Sequence, residues 1–168
     1  AEETILIVQI IMINGAQTVD VKIIQRAAQQ VAFIRMIGPY AEVIGPGFER
    51  LMAWSDAQQL QGEWLALYWD NPDITPPAEL KTDVAMTVPE GTAVSGDVQL
   101  QVIPAGDYAI RRCRVENDDF ETPWRAFFTD LAQSDYQFGT GACFERYFNN
   151  GKLDGYWDIE MVIPVTRK

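Results

Sequence analysis

FERYFNNG (Phe144–Gly151) and DIEMVIP (Asp158–Pro164) read as two β-strands around an Asn/Gly/Asp turn, and each has an earlier counterpart in the chain. LALYWDNP (Leu65–Pro72) parallels the first and DVAMTVP (Asp83–Pro89) the second, at offsets of about 75 to 79 residues. Such self-similarity marks an architecture built from one unit used twice. Working outward, IIQRAAQQVAFIRMIGPY (Ile23–Tyr40) reads as a longer edition of VIPAGDYAIRRCRV (Val102–Val115). Each has an apolar entry, a small turn and then an alternating strand, Val31–Ile37 or Tyr108–Arg114. A helix follows in both copies. PGFERLMAW (Pro46–Trp54) puts Phe48, Leu51 and Met52 on one face, and TPWRAFFTDL (Thr122–Leu131) does so with Trp124, Phe127, Phe128 and Leu131. Asn117, Asp118 and Asp119 precede the second helix, where capping oxygens and negative charge are favoured.

Two β-α-β-β units predict an α+β fold, a single antiparallel sheet with helices on one face. The pseudo-repeats run over about residues 19–89 and 98–165 of a domain spanning 19–168, joined by the linker EGTAVSGD (Glu90–Asp97). Ahead of them, residues 1–18 form an extension. Its apolar run Ile5–Ile13 is too short to span a bilayer. It also lacks the basic lead and small-residue cleavage site of a signal peptide. Asn14–Gly15 behind it predicts a hairpin with Thr18–Ile24. That extra strand could cap a sheet edge or mediate self-association, giving a homodimer.

The chain has 168 residues, of which 48% are hydrophobic and 11% aromatic, enough for one buried core. A net charge of −11 repels phosphate backbones, so direct nucleic-acid binding is not expected. There is no histidine, which removes the commonest general base and the usual zinc ligand. No metal, cofactor or catalytic residue is therefore assigned. Cys113 and Cys143, both in strand-like apolar segments, read as small buried hydrophobes, which places the protein in a reducing, cytoplasmic setting.

Laying one repeat over the other exposes an asymmetry. Glu145 falls on Ala66, and Glu160 falls on Ala85. A position that serves its structural role as alanine in one copy does not need charge in the other, so the carboxylates point to a site. Tyr147 and Tyr68 lie two residues beyond Glu145 and Ala66, on the same strand faces. Trp124 and Trp157 are read as pocket aromatics or core, and Tyr40 and Trp64 as rim residues or core.

In order along the chain, AFIRMIGPY, GFERLMAW, LALYWDNPDITPPAELKTDVAMTVP, IPAGDYAI, PWRAFF, CFERYFNN and GYWDIEMVIPV resemble the GyrI-like, or DNA-gyrase-inhibitor-like, family. This family is related to the effector-binding domains of AraC-type and multidrug-sensing regulators. The resemblance covers about residues 20–167. It implies a groove at a pseudo-two-fold axis between the two helices, binding bulky lipophilic cations through a glutamate in the strand matching CFERY, here Glu145, and surrounding aromatics. The sequence departs from the AraC-type regulators in that no helix-turn-helix segment precedes the domain, so a free-standing module is expected. Three functions follow: a small-molecule-binding protein for lipophilic cations, a gyrase modulator acting by protein contact, or a hydrolase of cyclopropane-bearing genotoxins with Glu145 as general base. The first leads, because all three need the pocket and only the first needs nothing more.

Overall fold

The computed structural model describes residues 21–168. The expected strand Ile5–Ile13 and the boundary at residue 18 lie outside the described residues. In the first repeat, β1 (Lys22–Arg26) and β2 (Gln29–Ile37) lead into α1 (Tyr40–Ala57), followed by β3 (Trp64–Tyr68) and β4 (Lys81–Thr87). In the second, β5 (Gln99–Ile103) and β6 (Gly106–Val115) lead into α2 (Glu121–Ala132). A short β7 (Tyr136–Phe138) comes next, then β8 (Cys143–Tyr147), the one-turn α3 (Gly151–Asp154) and β9 (Trp157–Arg167). The apolar entries of the sequence are thus strands themselves, and each unit is β-β-α-β-β.

Consecutive strands at these entries do not pair with each other. The ladder runs β1-β6-β9-β8-β3-β4-β2-β5, all antiparallel, so β1 sits on the second repeat and β5 on the first. Six strand spacings separate β1 from β2, about 29 Å in a flat sheet. The chain between them offers only Ala27 and Ala28, three Cα steps or at most about 11 Å. Pro104 and Ala105 impose the same limit between β5 and β6. The sheet must therefore curl until its edges approach. Val31 and Phe33 of β2 accordingly share one buried cluster with Tyr108 of β6, Phe144 of β8 and Val162 of β9 inside the curl.

Both helices pack on the outer face, each over its own cluster: Leu51 of α1 with Ile34, Val84 and Met86, and Phe127 and Leu131 of α2 with Ile159, Met161 and Ile163. Met52 and Phe128, expected on the buried stripes, are 40% and 41% exposed. Helix α1 starts earlier than PGFERLMAW suggests and runs through Pro46. At Gly47 it lies so close to the sheet that a Cβ would come within 2.8 Å of Met36 Cγ. The Asp119 carboxylate accepts the Thr122 amide of α2 at 3.1 Å, as the acidic run ahead of it predicts. Among the described residues no helix is long and apolar enough to cross a membrane.

Candidate functional site

The site is built on the central pair of the ladder. Strands β3 and β8 place Ala66 directly opposite Glu145, with Tyr68 opposite Cys143 and Trp64 opposite Tyr147. Because strand side chains alternate, Trp64, Ala66, Tyr68, Glu145 and Tyr147 all point to the outer face, into the gap between α1 and α2. A pseudo-two-fold axis through the Ala66–Glu145 pair exchanges the two tyrosines.

Glu145 is 0% exposed. Tyr68 and Tyr147 both donate their hydroxyls to its Oε1, the latter at 3.0 Å, and Trp124 Nε1 of α2 donates to Oε2 at 2.9 Å. None of the ion pairs among the described residues involves it. Burial pushes its carboxyl up from the ordinary range, while the three donors pull the other way. Both tyrosines are held well above their usual value, first by burial and then by the Glu145 charge, so they stay donors. A shell of rings encloses this centre. Tyr68 lies between Tyr40 at 4.9 Å and Trp124 at 6.1 Å, and Tyr147 between Trp157 at 5.4 Å and Phe48 at 5.5 Å. Tyr40 also donates to the Asp70 carbonyl at 3.0 Å, and burial raises its pKa to about 12.

The structure therefore brings Glu145, Tyr68, Tyr147 and Trp124 into one hydrogen-bonded group, with Tyr40 and Trp157 behind the tyrosines. Trp64 packs on Phe48 at 6.2 Å, one ring further out. Glu160 is elsewhere. It pairs across the ladder with Arg146, the neighbour of Glu145 in the strand, so it points into the curl and not into the groove. There Arg146 donates to its Oε1 at 2.8 Å and Arg26 lies 3.6 Å away. Its alignment with Ala85 is a two-residue slip. With Glu145 set on Ala66, the ladder makes Asp83 the counterpart of Glu160, and Asp83 is likewise clamped by an arginine, Arg35, at 2.9 and 3.0 Å.

Phe48 and Phe128 are site aromatics that sequence reasoning left as helix-face residues. Phe48 stands one helical turn before Leu51, and Phe128 stacks on Trp124 at 5.8 Å. The signal for both was present, an aromatic at i, i+3 or i+4 from a core residue and facing the other helix. Cys143 is partly buried beside Tyr68, its thiol pushed up to about 12 by burial. Among the described residues no group of three or more acidic, Cys or His side chains is arranged to hold a metal ion. Chemically the centre offers one carboxyl, stackable rings, and hydroxyl and indole hydrogen-bond donors.

Two loops close the ends of the groove, and each crosses to the helix of the other repeat. The β3–β4 loop reaches α2, where Arg125 grips Asp73 at 2.8 and 3.3 Å. The β8–β9 connection reaches α1, where Lys152 Nζ lies 4.0 Å from the place a Cβ on Gly45 would take. At this second end a cleft of about 280 Å³ opens, lined by Asn117, Asp118, Gly151, Lys152, Tyr156 and Trp157 among others.

Comparison with known proteins agrees with this architecture. The GyrI-like small molecule binding domain family matches residues 19–166. A protein named DNA gyrase inhibitor from Salmonella typhimurium is 44% identical over 154 residues, covering 89% of this chain and 99% of that protein. One of the same name from Yersinia enterocolitica is 44% identical over 152 residues, covering 87% and 97%. Among solved structures, EcmrR in its DNA complex superposes with a TM-score of 0.71 at 17% identity, over 99% of this chain and 64% of that one. A hydrolase from Listeria innocua gives 0.63 at 8%, over 94% and 98%. SAV2435 bound to tetraphenylphosphonium gives 0.59 at 13%, over 88% and 94%. These structural likenesses speak for the fold. The chain belongs to the GyrI-like small molecule binding domain family.

Proposed function

We propose that this GyrI-like protein binds lipophilic, aromatic cations in the groove between α1 and α2, with Glu145 as the counter-charge. One observation carries the reading: a fully buried carboxyl without a cationic side-chain partner among the described residues, ringed by aromatic side chains. An ionised carboxylate removed from water costs several kcal/mol unless something compensates it. A natural core avoids that cost with alanine, as the first repeat does at Ala66. A bound organic cation compensates the charge, and each ring facing it adds about 0.5–2 kcal/mol of cation–π attraction. The solved SAV2435 structure, with its tetraphenylphosphonium, supplies a probe of this class. Titration calorimetry with tetraphenylphosphonium against uncharged triphenylphosphine oxide tests the reading. The cation should bind at least tenfold more tightly, and equal binding, or none, would overturn it.

The relatives' name favours a second reading, in which the protein modulates DNA gyrase by protein contact. A supercoiling assay decides it: inhibition at substoichiometric protein, unaffected by DNA concentration, would put gyrase first. A hydrolytic role for Glu145 has less support, because the carboxyl is sealed from water and its partners are the Trp124 indole and two tyrosines held protonated.

A further inference from the structure

Glu145 has no exposed surface, so no ligand reaches it without moving a ring. The two ends of the groove differ in how they resist that movement. At the Tyr68 end the β3–β4 loop is tied to both helices, by Tyr40 to the Asp70 carbonyl and by the two-pronged Arg125–Asp73 contact, and Glu121 holds Arg125 from its other side at 2.7 Å. At the Tyr147 end the corresponding connection leaves the open cleft beside α3. The indole of Trp157 lines that cleft and packs on Tyr147 with ring centroids 5.4 Å apart, and Tyr147 bonds Glu145 directly. A single polar contact holds the indole, Nε1 to Asp118 Oδ1 at 3.2 Å. Asp118 is exposed at the cleft and, with Asn117, adopts a left-handed backbone, φ +54° and +55°, which non-glycine residues rarely take. Gly151 makes room for the ring on its far side, since a Cβ there would fall 2.2 Å from Trp157 Cδ2.

We infer that the cleft beside α3 is the entrance and outer binding station for the ligand, with Trp157 as the plug between cleft and groove and Asp118 as the outer counter-charge. This rests on the cation-binding reading of Glu145. The outer station shares one element with the inner one, a carboxylate that accepts an indole N–H. The Tyr156 ring beside it already carries the Arg114 guanidinium on one face, 3.6 Å from its centroid, which leaves the Asp118 carboxylate and the Trp157 ring to meet a cation. A planar cation arriving at Asp118 competes for the oxygen that holds Trp157, so capture and release of the plug are one event. Lys152 on the same rim disfavours dications and leaves a monocation as the best fit. The latched Tyr68 end then serves as a fixed wall.

Stopped-flow fluorescence with rhodamine 6G, a planar lipophilic monocation, separates the routes. Trp157→Phe removes the Nε1–H bond while keeping an aromatic wall, and Asp118→Ala removes the acceptor. Each should speed dissociation at least fivefold, and Trp157→Phe should also speed association at least fivefold. Unchanged rates in both cleft variants would overturn the entrance while leaving the Glu145 site standing. A wild-type protein that binds neither rhodamine 6G nor tetraphenylphosphonium would remove the site and the entrance together.

Discussion

Ala66 in the first repeat and Glu145 in the second face each other across the β3–β8 ladder, each two residues before a tyrosine whose hydroxyl ends on the same carboxylate oxygen. The surroundings are equally buried, with 0% exposure on both sides. What differs is the ability to hold charge. The first repeat shows that the strand packs without a carboxylate, so the second repeat's glutamate costs the fold something that the proposed bound cation would offset. A duplicated fold lets one copy keep the packing solution while the other carries the chemistry.

The harshest way to break this comparison is to make the halves alike. Ala66→Glu would set two carboxyls face to face in a sealed space, and it should destabilise the protein by roughly 3–5 kcal/mol, as for an uncompensated buried charge. Urea denaturation measures this, and an unchanged midpoint would show that the floor of the groove is open to water. Removing one donor is milder. Tyr147→Phe leaves a buried carboxylate short of one hydrogen bond and should cost about 1–3 kcal/mol at neutral pH. Tyr68→Phe should cost a similar amount, since the axis makes the two equivalent.

Glu145→Gln alone should change how stability responds to pH. Burial raises the folded-state pKa of Glu145 above the unfolded value near 4.5, so the folded state holds the proton more tightly. The stability this contributes is fully present below pH 4.5 and is lost as pH rises through the folded pKa. The glutamine variant lacks that decline. Urea midpoints of the two proteins between pH 4 and pH 8 should therefore diverge upward in favour of Glu145→Gln, and parallel curves would contradict the raised pKa.

Smallest in effect on binding is Glu160. Because its carboxylate points into the curl against Arg146 and Arg26, Glu160→Gln should leave tetraphenylphosphonium affinity within twofold by calorimetry, whatever it does to stability. A tenfold loss would mean that the inner face of the sheet communicates with the groove.

How far the sequence shows this depends on whether an interaction is local or spans the repeats. The duplication, the two helices and the Glu145–Ala66 contrast are readable because the repeats align position by position around Tyr68 and Tyr147. Strand alternation then puts the tyrosines and the glutamate on one face without further information. Glu160 went astray for the same reason: DVAMTVP and DIEMVIP align best two residues away from the register that the ladder adopts, and a two-residue slip preserves the face while changing the partner. The counterpart it suggested, Ala85, made an ion-paired glutamate resemble a second site residue. The curl could not be read, because it depends on β1 and β5 exchanging repeats across connections of two residues, with paired residues 80 to 88 apart between β1 and β6 and 66 to 74 apart between β2 and β5. Helix α1 was read short, since Pro46 ordinarily ends a helix and here is carried through it. Trp157 as a plug emerges only from its contacts with Gly151, Asp118 and Tyr147, which three different segments supply.

The central claim is that Glu145 is a counter-charge that must be ionised to bind. Tetraphenylphosphonium affinity measured against pH in wild type and Glu145→Gln tests it most directly. A cation that binds only the carboxylate displaces one proton from the empty site, so wild-type affinity should fall about tenfold per pH unit below the pKa of that site and level off above it. Glu145→Gln should bind at least tenfold more weakly on the plateau, about 1.4 kcal/mol, and show no such pH dependence. Equal affinities with the same pH profile in both proteins would contradict the account and leave the glutamate as a buried residue held only by Tyr68, Tyr147 and Trp124.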